Sequence, residues 1–176
     1  MENRVIEFGY SSNLGGVEVF IKNIIMNTSI PIDLVATTQD KIPFEDEFVA
    51  NGSRIFRIPN RRSAPMEYKR NIENILREHP EIKAAHVHLN SCSSIEALEA
   101  AKKVGMQCIA HSHSSNSNFN KLTKTLHTIN KKRPGIIPDP YITIQTVTTI
   151  WTMRFTCERI IRYSGTAAEG LFGPFS

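Results

Sequence analysis

The sequence predicts a doubly wound α/β domain built on a parallel sheet, and three observations carry that prediction. Between Arg4 and Ala110, short apolar runs alternate with segments of helical periodicity, the pattern of strand–helix units. The runs are apolar along most of their length, as strands covered on both faces are. A glycine pair, Gly15-Gly16, separates the first run from the first helical segment, the position where such domains place a ligand-binding turn.

In chain order, Arg4 to Tyr10 reads as a strand ending in a Ser11-Ser12-Asn13 turn. Val17, Phe20, Ile21, Ile24 and Ile25 follow with helical spacing, and Leu14-Gly15-Gly16 marks the helix start. Ile32 to Thr37 is a short β-type run after Pro31, and Arg54 to Ile58 is another, ended by Pro59. Tyr68, Ile72, Ile75, Leu76 and His79 form one face of a second helix, stopped by Pro80. Ala84 to Leu89 is a strand. Ser93 to Val104 carries Ile95, Leu98 and Ala101 at helical spacing and closes at Gly105. Met106 to Ala110 is the next strand, running into His111-Ser112-His113. Asn120 to Lys132 has weak helical character, broken by Pro134, Gly135, Pro138 and Pro140. Tyr141 to Phe155 is β-type in composition. Ile160 to Ser164 reads as a further strand, and Thr166 to Phe172 as a short helix stopped by Gly173-Pro174. The expectation is one domain over residues 1–176, with residues 133–160 unplaced.

Composition narrows the class. The chain has 176 residues, 40% hydrophobic and 22% charged, ordinary for a globular domain. No run approaches the ~18 apolar residues that span a bilayer. The N-terminus shows no secretory leader, so the expected location is the cytoplasm, including the inner face of the membrane. Cys92, Cys108 and Cys157 are far apart and form no CxxC pair, which supports neither disulfides nor a zinc site. The net charge of +4 is below that of a dedicated nucleic-acid binder, and the basic residues are not interleaved with aromatics. Nucleic acid is therefore not an expected partner. Arg54, Arg57, Arg61, Arg62, Lys69 and Arg70 cluster around a single acid, Glu67, and such a cluster can meet phosphates or an anionic membrane.

Two features can carry chemistry. Ser11-Ser12-Asn13-Leu14-Gly15-Gly16-Val17-Glu18 joins strand to helix. Its glycines permit close backbone approach, and the following helix aims its amides at the loop. A phosphate or a sugar hydroxyl suits such a place, although neither dinucleotide nor Walker spacing is present. The other feature is histidine: His86-Val87-His88 at one strand end and His111-Ser112-His113 at another. Both ends belong to the ligand-collecting edge of a doubly wound sheet. A metal is not expected, because no carboxylate at suitable spacing accompanies the histidines. A polar, ligand-facing role falls to His111 or His113. No GxSxG elbow exists for a serine nucleophile.

Taken together, Asn13-Leu14-Gly15-Gly16-Val17-Glu18, His86-Val87-His88-Leu89, Ala100-Ala101-Lys102-Lys103-Val104-Gly105, Ile109-Ala110-His111-Ser112-His113-Ser114 and Ser164-Gly165-Thr166-Ala167-Ala168-Glu169-Gly170-Leu171-Phe172-Gly173 resemble a known pattern. It is the N-terminal, acceptor-side domain of bacterial family-4, GT-B fold glycosyltransferases of capsular and exopolysaccharide synthesis. The resemblance covers most of residues 1–130 and resumes near 160. It implies a Rossmann-like half of a GT-B architecture and transfer of a hexose-type sugar from a nucleotide sugar to a polysaccharide or lipid-linked acceptor. It further implies a partner chain or domain that grips the donor, peripheral membrane contact and no separate cofactor. By the same resemblance, Gly15 and Gly16 lie against the donor phosphates, and His113, or His111 in a register shifted by two, touches the transferring sugar. The family's second domain carries two glutamates separated by seven residues. Glu73 and Glu81 have that spacing but straddle Pro80 inside the first domain, and they read as coincidence. The chain alone is expected to be inactive. The alternative reading is a non-catalytic module that holds an acceptor or lipid and docks a partner.

Overall fold

A computed structural model describes residues 2–89, 92–113, 121–132 and 141–143, all within the compact unit Met1–Gln145. The expected strand at Ile160 to Ser164, the helix at Thr166 to Phe172 and the β-type stretch beyond Thr143 lie outside the described residues.

The described elements alternate as the periodicity requires. They are β1 (Arg4–Tyr10), α1 (Gly16–Met26), β2 (Ile32–Ala36), α2 (Glu45–Ala50), β3 (Ile55–Arg57), α3 (Pro65–Glu78), β4 (Ile82–Leu89), α4 (Glu96–Lys103), β5 (Gln107–Ser112), α5 (Lys121–Lys131) and β6 (Tyr141–Thr143). The six strands form one sheet in the order β3-β2-β1-β4-β5-β6, and every neighbouring pair is parallel. This is the doubly wound, Rossmann-like α/β class that the sequence predicts. In it the strand order reverses between β1 and β4, and ligands bind beyond the carboxyl ends of the strands at that reversal. The element that the sequence does not announce is α2. It is a six-residue helix with an acidic first turn, Glu45-Asp46-Glu47, begun by Phe44 at φ 59°.

Each face of the sheet has its own core. On one, Ile6, Phe8, Ala85, Val87, Leu89 and Ala110 of the strands meet Ile72 and Leu76 of α3 and Leu98, Ala100 and Ala101 of α4. On the other, Leu34 and Ala36 of β2 and Tyr10 of β1 meet Ile21 and Ile25 of α1 and Phe48 of α2. Each fully buried Leu, Ile or Phe contributes about 1.5–3 kcal/mol by leaving water. Proline starts α3 and a histidine caps its end, with His79 N–H donating to the Ile75 carbonyl at 3.1 Å.

At the amino ends of the strands, Asp33 is fully buried and accepts hydrogen bonds from the guanidiniums of Arg4 (2.6 and 2.8 Å) and Arg54, and from Arg54 N–H at 3.0 Å. Burial alone would push its carboxyl up. The two arginines override that and hold it below the ordinary carboxylate range. Arg54 continues to Glu81 at 2.6 Å, and Glu81 meets His79 Nδ1 at 3.1 Å. Glu73 pairs with Lys103 at 2.7 Å, so the two glutamates with family-like spacing are both structural ion-pair partners.

The basic cluster read from the sequence is largely neutralised by tertiary contacts. Arg54 pairs with Asp33 and Glu81, Arg57 with Glu45 at 2.7 Å, Arg61 with Glu96 at 2.9 Å and Lys69 with Glu99 at 3.5 Å. The acids arrive from elsewhere in the chain, which is why a linear window misses them.

Candidate functional site

The site is built where β1 hands over to α1. After Tyr10, the Ser11 hydroxyl donates to the Asn13 carbonyl at 3.0 Å and accepts from Asn13 N–H at 3.2 Å, folding the loop on itself. Ser11 N–H donates to Glu18 Oε1 at 3.1 Å. Glu18 is buried in the first turn of α1, where the helix dipole favours a negative charge. Gly15 is the helix N-cap and is extended, with φ −150° and no side-chain cap. A Cβ there would come 3.0 Å from Glu18 Oε2. Gly16 is different: a Cβ there meets no protein atom within 4 Å. It therefore faces open space, and a side chain would fill that space without displacing the domain.

A cavity of about 280 Å³ opens here, lined by the loop residues Ser11 and Asn13 to Glu18, by Gly9, and by His88 and His113. The fold thus brings together three of the four site residues expected from the sequence, Gly15, Gly16 and His113. It places the fourth, His111, beneath them, 2% exposed. His113 follows the end of β5, and its N–H donates to the Leu89 carbonyl at 2.9 Å.

Beneath the cavity lies a buried polar cluster that sequence spacing does not reveal. Strand alternation sends Ala85, Val87 and Leu89 to the α3/α4 core and His86 and His88 to the other face. Pairing register sets Glu7 beside His86 and His88 beside His111. Glu7, 1% exposed, accepts from His86 Nδ1 at 3.0 Å and from His88 Nε2 at 2.7 Å. The expectation that no carboxylate accompanies the histidines is corrected by this residue, which lies 79 and 81 positions from them in the chain. His88 Nδ1 in turn sits 2.7 Å from His113 Nε2. Phe20 of α1 packs edge-on against the rings of His88, His111 and His113 at 5.7, 4.9 and 5.6 Å, holding them to the sheet.

Electrostatics follow from this burial. Desolvation would raise the Glu7 carboxyl, but the two histidines more than offset it and hold the group well below its usual range. Burial lowers His88 to about 4, with His86 adding to the effect and Glu7 opposing it. Burial also drives His111 far down and lowers His113. His88, His111 and His113 are therefore neutral at pH 7, each with one N–H and one lone pair. His111 Nε2 is buried and has no hydrogen-bond partner among the described residues.

His86, His88 and His111 bring one nitrogen each within 4.8 Å of one another, close enough for one metal ion after small adjustments. Both His88 nitrogens are already engaged, however, so an ion would displace either Glu7 or His113.

Gly9 is a further residue that the sequence does not single out. It has φ +99°, and a Cβ there would lie 2.6 Å from the His88 carbonyl oxygen. Only glycine lets β1 pass this close to β4, at the point where the β1–β2 register also shifts.

The fold and cavity thus define a doubly wound domain with a cavity at its strand-order reversal. No protein-family model matches the chain. Among curated proteins it is similar to "Putative glycosyltransferase EpsF" of Bacillus subtilis (strain 168), 26% identical over 126 residues, which cover 68% of this chain and 33% of that protein. The chain thus spans about a third of that relative's length. This similarity bears out the resemblance to bacterial glycosyltransferases drawn from the motifs. Among solved structures, a UGT transferase from Siraitia grosvenorii in complex with UDP aligns at 10% identity over 65% of this chain and 24% of its own, TM-score 0.42. The C-terminal domain of a hydrogenase from Pyrococcus furiosus aligns at 13% identity over 61% of this chain and 90% of its own, TM-score 0.45. Among the described residues, no helix is long and apolar enough to cross a membrane.

Proposed function

We propose that this chain is the acceptor-side domain of a sugar-transferring enzyme, moving a hexose-type sugar from a nucleotide sugar to a polysaccharide or lipid-linked acceptor. The observation that carries the reading is the cavity at the β1/β4 reversal, where Gly15, Gly16 and the start of α1 face His88 and His113 across about 280 Å³. The α1 amides and dipole suit a diphosphate, while Glu18 and His113 suit hydroxyl groups. The similarity to EpsF supports the same class of chemistry. In this reading Gly15 and Gly16 admit the donor phosphates, His113 contacts the transferring sugar, and His111 supports it from below. A donor-gripping domain is supplied by other residues or by a partner chain. Catalysis rests on positioning and on electrostatic stabilisation of the leaving diphosphate, with no separate cofactor.

The test is transfer measured with a donor-binding domain supplied in trans, beside thermal melting. The chain alone should give no transfer. In the reconstituted pair, Gly16→Val and His113→Ala should abolish turnover while leaving melting unchanged. Near-normal turnover of His113→Ala would remove the histidine from the site. Turnover by the chain without a partner would overturn the two-domain reading.

A further inference from the structure

The hydrogen-bond inventory of the buried cluster fixes where each proton sits. Glu7, as a carboxylate, can only accept. His86 Nδ1 and His88 Nε2, at 3.0 and 2.7 Å from its oxygens, must therefore both donate. A neutral His88 has a single N–H, so its Nδ1 carries the lone pair. The contact of 2.7 Å to His113 Nε2 then requires His113 to be the donor. A neutral His113 that spends its proton on Nε2 keeps its lone pair on Nδ1. The hydrogen bonds thus connect a buried acid on β1 to a ring that lines the cavity.

We infer that Glu7 and His88 are positioning residues: through Glu7–His88–His113 they hold His113 in a single tautomer, so that the ring offers the cavity an acceptor nitrogen for a ligand hydroxyl. This deepens the proposed function, since it takes the cavity as the ligand site and names the sugar hydroxyl as the group that His113 receives. The surroundings enforce the arrangement. Both His88 and Glu7 have side chains only 1% exposed, so water cannot substitute for either partner. Phe20 packs edge-on against His88 and His113 at 5.7 and 5.6 Å and adds a steric restraint on both rings. A neutral imidazole left alone exchanges between tautomers, and a hydroxyl-binding site gains from removing that choice before the ligand arrives.

The test reads protons directly, and needs no turnover. Long-range ¹H–¹⁵N correlation spectra of the full chain, labelled on histidine at pH 7.5, report the tautomer of each ring. The expected result is His86 protonated on Nδ1, and His88 and His113 each protonated on Nε2 alone. A His113 protonated on Nδ1, a His113 averaged between tautomers, or a doubly protonated His88 overturns the inference. In Glu7→Leu, which cannot accept, the His113 signals should move to tautomer-averaged positions while amide dispersion persists. A folded variant in which His113 stays purely Nε2-protonated shows that Glu7 does not set it. Should Glu7→Leu not fold, Glu7→Gln serves: its amide accepts from one histidine and donates to the other, so either His86 or His88 must invert, and no inversion overturns the scheme. Titration with Co²⁺ supplies the remaining arm. A stoichiometric tetrahedral visible band would mean that the histidines are a metal site, and would displace the relay. None of these outcomes depends on whether sugar transfer is found, so failure of this inference and failure of the proposed function are distinguishable.

Discussion

Two acids are buried in the strands of this sheet, and their partners differ. Asp33 sits near the amino ends of the strands and is held by Arg4 and Arg54. Glu7 sits on β1 beneath the cavity and is held by His86 and His88. Both carboxyls are kept ionised against the cost of burial. An arginine can only donate and stays charged, so the Asp33 network has one state and serves the fold. A histidine can exchange donor for acceptor and can take up a proton, so the Glu7 network, single-state while its acid is intact, can rearrange its protons when that acid is altered. The chemistry of the partner, more than the burial of the acid, sets the two networks apart.

The widest gap between the two networks should appear with matched amide substitutions. Asp33→Asn turns an NH₂ group toward two guanidiniums that cannot accept from it. It should cost about 3 kcal/mol in urea unfolding, discounted from the fully buried case because Arg54 is 36% exposed. Glu7→Gln lets a histidine reverse its tautomer to suit the amide, and should cost about 1 kcal/mol. Equal losses at the two positions would mean that the histidines are as fixed as the arginines, and the distinction would collapse.

Acid should separate the networks next. His88 has a folded-state value lowered to about 4 by burial, against about 6.5 when unfolded. The unfolded chain therefore binds the proton first, and stability falls as pH drops through the window from about 6.5 to about 4. At 1.36 kcal/mol per unit, the loss from this one ring is of order 3 kcal/mol. His111 and His113, also lowered by burial, act in the same direction. The groups facing His88 are Glu7, His86, His111 and His113. Asp33, lowered by its arginines, loses its contribution only below the ordinary carboxylate value of about 4. Melting temperature between pH 8 and pH 4.5 should therefore fall in wild type and fall less steeply in His88→Gln, where the lowered His111 and His113 still contribute. A flat wild-type profile would contradict the neutral buried histidines.

The backbone beneath the site gives a third, smaller contrast. Gly9→Ala must hold φ +99° and place a methyl 2.6 Å from the His88 carbonyl. It should lose about 2 kcal/mol and disturb the His88 ring. Gly16→Ala, whose Cβ meets nothing within 4 Å, should stay within about 0.5 kcal/mol. If Gly9→Ala melts like wild type, the close approach of β1 to β4 is not needed to set the cluster.

The sheet was legible because its strands are apolar runs divided by Gly, Pro and helical periodicity. Arg4–Tyr10 emerges at its full length, and Ile32–Ala36 to within one residue. The helix α2 was not legible, because six residues with three acids show no period. At the site, the glycine loop and the histidine pairs were visible as local motifs. Glu7 was not, since its meaning comes from pairing register with a strand some eighty residues away. Its one local signal was an acid amid Val5, Ile6 and Phe8. Gly9 was hidden for the same reason: its need for a positive φ comes from a neighbour on β4.

The last contrast is between paired and unpaired arginines in the segment from Arg54 to Arg70. The sequence reads this segment as a basic face for an anionic membrane, but Arg54, Arg57, Arg61 and Lys69 already have carboxylate partners. Arg62 and Arg70 are exposed and have no acidic partner among the described residues. At about 1 kcal/mol per basic residue near an anionic surface, these two allow about 2 kcal/mol, roughly a thirtyfold preference for phosphatidylserine vesicles over neutral ones. The preference should vanish at high salt, where the Debye length shrinks to about 3 Å. Sedimentation with vesicles should show it lost in the double variant Arg62→Ala, Arg70→Ala and retained in Arg57→Ala, because Arg57 spends its charge on Glu45 at 2.7 Å. Equal loss in Arg57→Ala would mean that the membrane competes with the internal ion pairs, and that a tertiary partner does not remove an arginine from the surface field.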